Sequence, residues 1–408
     1  MRAQRSIWLV AVCMIACSVA VAGEDGGVFA LAVTEAEIDF EATRHFHDGK
    51  EGAPGRDKVL LSMGLLAPSK EVDNWHRKWS AGRAGGRHGE GDKLSPEPEV
   101  FHYRVAFKRP VAVGSVLFSN RELRVLKPDA PYPGDPDNPE HWQEIDIPPR
   151  QWPFRLAALP VGTETRAILL TDRMKSGTST AHPVQVYRRR LHNVSSSARV
   201  RASSQYNAPR AFGERSYPPI GPVRGRGTWL SNGKNDEGNI AGPYISEVEP
   251  AWYVLAWDEP QPVAGLIQVD NFKRIAFDHF EGPASANPLI GVDEEWDPVR
   301  THELVENRIH GRSDFGRWIS FAEPIGTRGI RERILGAWVR DGGDSQVASL
   351  SSLLVVRDLG DAPVPEAPDD GPPKPPYKIP YALERDRDFF TLVVNGPDGR
   401  RLRNLVAR

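Results

Sequence analysis

Two histidines near the N-terminus are the first candidates for chemistry in this chain. The segment HFHDGKEG contains His45, His47 and Asp48. Alternate residues of a β-strand point to the same side, so these two imidazoles are spaced to bind one metal ion. The exposed end of a strand followed by a turn is the alternative. No other motif supplies further ligands, and the sequence leaves both interpretations open.

A second oxygen-rich segment, NGKNDEGN, covers residues 232–239. Asn235, Asp236 and Glu237, together with backbone carbonyls, would offer the oxygen ligands that calcium prefers. A solvated polar turn is the alternative. Calcium is therefore the one cofactor that the sequence suggests, in a structural role, and no cofactor is required.

Carboxylates surround Trp296 in the segment DEEWD, residues 293–297. Paired carboxylates about 5 Å or about 6.5–9.5 Å apart perform acid and base steps in glycoside hydrolysis. Neighbouring acidic residues in a loop are ordinarily just solvated. The sequence also contains no G-x-S-x-G, P-loop or H-E-x-x-H motif, so we expect no catalytic residue.

Aromatic and histidine side chains favour binding instead. Sugar rings present apolar C–H faces to aromatic rings, and their hydroxyls pair with Arg, Asn, Asp and His. Core or rim packing is the alternative for each residue, since Trp is highly buried on average. The candidates, all expected in or beside loops, are Trp75, His141, Trp142, His279, Trp296, His310 and Trp318.

Positive charge is concentrated in residues 195–226, which contain six Arg and one Glu. Arg forks pair well with carboxylates, so this segment could attract anionic glycans. A dispersed, solvated surface is the alternative. The whole chain of 408 residues has 52 basic and 54 acidic side chains, a near-neutral balance that argues against a nucleic-acid partner.

The elements that would position these residues are short β-rich runs bounded by Gly, Pro, Asn and Asp, which predict an all-β protein. Before them, Arg2, Arg5, an apolar run over 7–22 and the AVA cleavage site predict a signal peptide over 1–22. A lipid anchor at Cys17 is the alternative reading of this segment. Either way we expect a secreted, periplasmic or cell-envelope protein.

An internal repeat organises the rest. PEVFHYRVAFKRPVAVGSVLFSN, residues 98–120, corresponds to PAWYVLAWDEPQPVAGLIQVDN, residues 250–271, with a turn expected at each Pro-Val-Ala. The repeat predicts two β-sandwich domains, residues 28–192 and 193–360. It aligns Trp79 with Trp229, which favours a structural role for both, and leaves Trp142 and Trp296 without counterparts.

Residues 361–380 contain eight Pro and predict an extended linker. After it, the segment FFTLVVNGPDGRRLRNLVAR predicts a β-hairpin, because NGPDG is a strong turn signal. Two strands alone are marginally stable, so residues 381–408 would be an incomplete β domain.

The second repeat resembles the discoidin, or coagulation-factor 5/8 type C, family of galactose-binding-like domains. The resemblance covers most of 195–359 and extends to the first unit through the repeat. The C-terminal hairpin resembles the start of Ig-like modules of the FlgD type. The segments that carry the discoidin resemblance are ARVRASSQYNAPRAF (198–212), GTWLS (227–231), AWYVLAWDEPQPVAGLIQVDN (251–271), SFAEPIGTRGIRERIL (320–335) and SSLLVVRDL (351–359).

The resemblance implies two jelly-roll sandwiches whose end loops bind glycans, lipids or proteins, often beside a structural calcium. We therefore expect a secreted, non-catalytic protein that recognises a glycan or cell-surface polymer. Two alternatives remain open: a structural or adhesive spacer of the cell envelope, and the non-catalytic N-terminal part of a larger secreted hydrolase.

Overall fold

The computed structural model divides into two compact units, residues 1–365 and 366–408. The predicted signal peptide, Cys17, His45, Asp48 and residues 366–380 of the linker lie outside the described residues. The described residues are 27–33, 37–42, 46–47, 50–51, 79–84, 96–148, 154–181, 184–208, 215–224, 227–231, 245–303, 315–338, 344, 346–365, 390–395 and 401–407.

The first half of the larger unit contains a five-stranded antiparallel sheet, ordered β1-β5-β10-β7-β8, and a three-stranded sheet, ordered β12-β6-β9. Apolar residues alternate along β5, and this spacing of two places Phe101, Tyr103, Val105 and Phe107 in the interior. The strands are β1 (Ile38–Ala42), β2 (Phe46–His47), β3 (Lys50–Glu51), β4 (Trp79–Ala84), β5 (Glu99–Ala112), β6 (Ser115–Phe118), β7 (Glu122–Leu126), β8 (Trp142–Ile145), β9 (Arg155–Ala158), β10 (Glu164–Met174), β11 (Gly177–Ala181), β12 (Gln185–Tyr187) and β13 (Leu191–Asn193).

The second half repeats this layered arrangement with longer strands. Strands β14, β18, β21, β19 and β20 form one layer through their pairings, and β13, β22, β18 and β21 form the other. These antiparallel sheets confirm the predicted all-β sandwich fold. The strands are β14 (Arg199–Ala202), β15 (Asn207–Ala208), β16 (Arg215–Ser216), β17 (Trp229–Leu230), β18 (Ala251–Asp270), β19 (Phe272–Phe280), β20 (Trp296–Glu303), β21 (Phe315–Ala337) and β22 (Ser349–Asp358).

Short helical turns connect the strands. One four-residue α-helix spans Gly221–Arg224. The 3₁₀ turns are Gly27–Phe29, Pro139–His141, Ser195–Ser197, Pro288–Ile290 and Asp293–Glu295. Within the described part of the chain, no helix combines the length and the apolar character that a membrane span requires.

Strand β18 corrects the turn predicted at Pro262. Its first part pairs with β14 and its last part pairs with β22, so one strand passes through both layers. The first half follows the same path with a break between β5 and β6. Gly114 lies at that break, where a Cβ would come within 2.4 Å of the Arg188 carbonyl oxygen. The Pro-Val-Ala segment therefore carries a strand from one layer to the other instead of reversing it.

A buried apolar cluster joins the two halves of the larger unit. Phe29, Leu117 and Tyr187 come from the first half, and Ile267 and Leu354 come from the second. Burial of this shared surface stabilises the unit by the hydrophobic effect. The domain boundary between residues 192 and 193 stays a prediction.

The smaller unit contains strands β23 (Phe390–Asn395) and β24 (Arg401–Ala407), which pair antiparallel. The pairing confirms the predicted terminal hairpin. The assignment of residues 381–408 to an Ig-like module of the FlgD type stays a prediction.

Candidate functional site

A groove of about 670 Å³ lies on the outer face of the five-stranded layer in the second half. Alternation along β18 creates this face, because Tyr253 and Leu255 point into the core while Trp252 and Val254 point outward. The groove is lined by Arg201, Glu247, Val248, Pro250, Trp252, Val254, Asp278, Pro288, Leu289, Ile290, Gly291, Asp293, Trp296, Pro298, Arg331 and Arg333.

Strand register fixes the floor of the groove. One row of cross-strand partners runs from Arg201 through Val254 and Arg331 to Asp278 and Pro298. In the next row, Trp252 is the partner of Arg333. Because side chains two residues apart in a strand share one face, Arg331 and Arg333 both reach the groove.

An ion-pair cluster occupies the centre of this floor. Both oxygens of Asp278 accept hydrogen bonds from Arg333, from Nη2 and Nε at 2.8 Å each, and Arg331 Nε donates to Oδ2 at 2.8 Å. Arg331 Nη1 also donates to Asp293 at 2.5 Å. Asp278 is only 1% exposed, so two arginines balance one buried carboxylate.

Two tryptophans line the groove beside these charges. Trp296 packs edge-on against Phe280 at 5.3 Å, and the Arg331 guanidinium lies 5.0 Å from its ring centroid. Trp252 is partly exposed, and the Arg201 guanidinium lies 5.6 Å from its ring. Of the two rings, Trp252 therefore offers the more accessible apolar surface to a ligand.

Residues 281–295, here called the covering segment, pack over one side of this face. Arg328 holds the segment by donating hydrogen bonds to the carbonyl oxygens of Ala284 and Ala286, and Arg201 Nη1 donates to the Leu289 carbonyl at 2.8 Å. Gly329 in the strand beneath allows the close approach, since a Cβ there would lie 2.7 Å from the Pro288 Cβ. The covering segment thus forms one wall of the groove.

The rim of the groove carries two exposed apolar side chains as well as the carboxylates of Glu247 and Asp293. Val248 is 90% exposed and Ile290 is 62% exposed, and both line the groove. Exposed apolar side chains that border a concavity are typical of a binding site. The groove therefore combines an arginine-rich floor, an aromatic face and a rim of mixed apolar and acidic side chains.

Of the ligand-binding residues that were predicted from the sequence and are described in the structure, Trp296 is the one that lines this groove. It begins strand β20 instead of lying in a loop, and it is only 7% exposed. His279 lies in strand β19, bonds Glu281 and is absent from the groove lining. Because Asp278 and Phe280 face the groove side of the strand, the intervening His279 does not.

Trp142 and Trp318 were expected in or beside loops, and the structure places both in the interior. Trp142 is 3% exposed, and its indole N–H donates to the Asp135 carbonyl at 2.8 Å. Trp318 is 5% exposed within strand β21, and its indole N–H donates to the Tyr187 hydroxyl at 3.0 Å in the cluster between the halves. Burial removes both rings from contact with a ligand in this conformation.

His141, beside Trp142, is held by local hydrogen bonds. Its Nδ1 accepts from the Asp135 backbone N–H at 2.9 Å, and its Nε2 lies 3.0 Å from the Asn138 side chain. Trp75, His310, Asn235, Asp236 and Glu237 lie outside the described residues. Among the residues that are described, no group of three or more His, Cys, Asp or Glu is arranged to hold a metal ion.

The structure also corrects the expectation that Trp142 and Trp296 have no counterparts. Each Trp directly follows a 3₁₀ turn, and each pairs with the last residue of the neighbouring strand, Leu126 for Trp142 and Phe280 for Trp296. The two residues are therefore equivalent in the repeat. The intervening segments, residues 127–141 and 281–295, have the same length but share few residues, and this low identity hides the match in the sequence.

Sequence reasoning missed Trp252, Asp278, Arg331 and Arg333 as site residues. Arg331 and Arg333 did carry a signal, because their spacing of two in RGIRERIL puts both on one face of a strand. Arg201 belongs to the Arg-rich segment 195–226 that was considered for anion binding. The sequence did not show which face of each strand residues 281–295 would cover.

Comparison with solved structures gives distant similarities. A fucolectin from Morone saxatilis (striped bass) is 11% identical, with a TM-score of 0.25, and the match covers 72% of this chain and 100% of the lectin. The family 32 carbohydrate-binding module of NanJ from C. perfringens, solved with galactose, is 13% identical, with a TM-score of 0.28 and coverage of 41% and 99%. Allantoicase from Saccharomyces cerevisiae is 11% identical, with a TM-score of 0.24 and coverage of 72% and 85%.

No protein-family model and no curated protein matches the chain. At the identities and TM-scores given above, the structural similarities say nothing about what this chain binds.

Proposed function

We propose that this protein binds carbohydrate in the groove of its second half, without catalysing a reaction. The observation that carries the proposal is the pairing of Trp252 with Arg333 on adjacent strands, which sets a partly exposed aromatic face beside guanidinium donors. A sugar ring has a matching arrangement, with an apolar C–H face and hydroxyl oxygens at its edge. Neighbouring strands hold both groups in place, as a preorganised site requires.

Binding without catalysis is supported by the state of the carboxylates. Asp278 accepts hydrogen bonds from two arginines, Asp293 pairs with Arg331, and Glu247 pairs with Arg274. A glycosidase needs one carboxyl group free to donate a proton and another free to attack or activate water. The carboxylates of this groove are instead held by arginine.

Export from the cytoplasm is part of the same proposal. It is supported by the charged N-terminal residues, the apolar run and the small-residue cleavage site over residues 1–22. A glycan-binding protein in that compartment would meet extracellular or cell-envelope polysaccharides.

The test is a glycan panel probed with the full chain, followed by titration calorimetry of each hit against Trp252→Ala. We expect the substitution to weaken binding at least about tenfold, since it removes the exposed ring. Trp338→Ala is the matched control, because Trp338 is also partly exposed and lies beside a cation, Lys273, at 4.6 Å. Absence of binding across the panel, or equal binding by the wild type and Trp252→Ala, would contradict the proposal.

A further inference from the structure

The arginines of the groove floor have donors left over after their internal contacts. Arg331 uses Nε and Nη1, and Arg333 uses Nε and Nη2, to bond Asp278 and Asp293. Within the described part of the chain, Arg331 Nη2 and Arg333 Nη1 have no hydrogen-bond partner. Arg201 donates from Nη1 to the Leu289 carbonyl, and among the described residues its other N–H groups have no hydrogen-bond partner.

The side-chain acceptors of the floor are, by contrast, already occupied. Asp278 accepts three guanidinium N–H bonds and is 1% exposed. The other two carboxylates of the groove, Glu247 and Asp293, lie at its rim with side chains that are 61% and 88% exposed. The floor therefore presents hydrogen-bond donors to a ligand and almost no carboxylate oxygen.

The charged side chains are also divided between the floor and the rim of the groove. Arg201, Arg331 and Arg333 place three positive charges against the single negative charge of Asp278 on the floor, and the two negative charges at the rim are exposed to water. Water and salt screen the exposed carboxylates, whereas the side chains of Arg331 and Arg333 are only 15% and 35% exposed. The floor thus carries more positive than negative charge, and the balancing carboxylates of the groove, Glu247 and Asp293, lie at its rim.

We propose that the ligand of this groove is an acidic sugar that carries a carboxylate, such as a uronate. This inference rests on the proposed carbohydrate binding and specifies its class of ligand. The carboxylate would accept the unused N–H groups of Arg331 and Arg333, as guanidinium groups favour, while the C–H face of the ring covers Trp252. Arg201, beside Trp252, supplies a further donor at the same edge of the groove.

The experiment compares galacturonate and glucuronate oligosaccharides with their methyl esters, which keep the sugar and remove the charge. Sulfated and neutral oligosaccharides are the other arms. Calorimetry with the full chain should show the acids binding at least about tenfold more tightly than the esters, because a charge-assisted pair is lost on esterification. This preference should weaken as salt is raised.

Arg333→Gln should abolish the preference for the acid, and Arg333→Lys should keep part of it, because lysine retains the charge without the planar fork. Arg173→Gln, which breaks an exposed ion pair with Glu122 in the first half, is the matched control and should leave the preference intact. The thermal unfolding midpoint of each variant separates a binding effect from loss of the fold.

Equal binding of acids and esters that is lost in Trp252→Ala would overturn the acidic-sugar inference and leave carbohydrate binding standing. Tighter binding of sulfated than of carboxylated sugars would overturn it as well. Binding of neutral sugars alone would also overturn the acidic-sugar inference and leave carbohydrate binding standing. Failure of every oligosaccharide to bind would overturn both the inference and the proposed function.

Discussion

Asp278 and Arg333 form a two-point ion pair between adjacent strands, with Nε and Nη2 of the arginine each 2.8 Å from a separate carboxylate oxygen. This geometry fixes the plane of the guanidinium and leaves Nη1 directed away from Asp278. Arg331 completes the cluster from the same strand as Arg333. The orientation of both arginines therefore depends on one carboxylate that contacts solvent very little.

Replacement of Asp278 with Asn should destabilise the protein and disorganise the groove. Asn keeps the shape but removes the counter-charge of Arg333 and leaves Arg331 with only the exposed Asp293, at a cost of about 1–3 kcal/mol after allowance for the partial exposure of both arginines. Thermal unfolding and ligand titration measure the two effects. Asp344→Asn, which breaks the exposed pair with Lys273, is the control and should change neither. Unchanged stability in Asp278→Asn would mean that the cluster contributes little to the fold.

Trp142 and Trp296 should differ in function although they are equivalent in structure. Replacement of either by Ala opens a cavity among buried side chains, and we expect a loss of about 3–5 kcal/mol in unfolding free energy for each. Only Trp296→Ala should also weaken ligand binding, since Trp296 lines the groove and Trp142 is enclosed with Leu126 and Leu169. Denaturant titration and calorimetry together test this. Equal loss of binding in both variants would place the site elsewhere.

Gly329→Ala should displace the covering segment. The added methyl would meet the Pro288 Cβ at 2.7 Å, and the Phe280 Cβ and the Trp296 ring at 3.2 Å each, so the segment must move outward. We expect a loss of about 1–3 kcal/mol in stability and weaker ligand binding. Gly326→Ala is the control on the same strand, because a Cβ there meets no atom within 4 Å. Normal binding by Gly329→Ala would show that this wall is not needed.

Glu332 should make stability depend on pH. It is 1% exposed and points into the sandwich near Gln268 and Asp270, and burial, followed by repulsion from Asp270, raises its pKa from 4.5 to about 8. Below pH 4.5 the carboxyl is protonated in both the folded and unfolded states. Between that pH and about 8 the unfolded chain releases the proton while the folded chain keeps it, so this contribution to stability falls as pH rises.

Glu332→Gln should remove that fall, because the amide does not titrate. The variant should gain stability relative to the wild type as pH increases from 5 to 8, by on the order of 1 kcal/mol for each pH unit. Thermal unfolding at a series of pH values measures this difference. Glu323→Gln, at an exposed position of the same strand, should follow the wild type. Parallel curves for the wild type and Glu332→Gln would show that Glu332 is ionised in the folded protein.

Local features of the sequence were enough to predict the fold class. Alternating apolar residues in the segment that became β5 indicate a strand with one buried face, and NGPDG indicates the turn between β23 and β24. These signals come from neighbouring residues and from the alternation of side chains along a strand. Neither depends on contacts with distant parts of the chain. The same local reasoning placed a turn at Pro262, where pairing with two different partner strands keeps the chain extended.

The sequence by itself determined the alternation of faces, the repeat and the terminal hairpin. Only the tertiary structure decided that Trp318 is enclosed between the two halves, that Trp142 matches Trp296, and that Arg201, Trp252, Asp278 and Arg333 share one groove. The physical reason is that a strand pattern shows which residues lie on a common face, whereas exposure of that face depends on what packs over it. Here residues 281–295 cover part of the face, and the uncovered part is the groove.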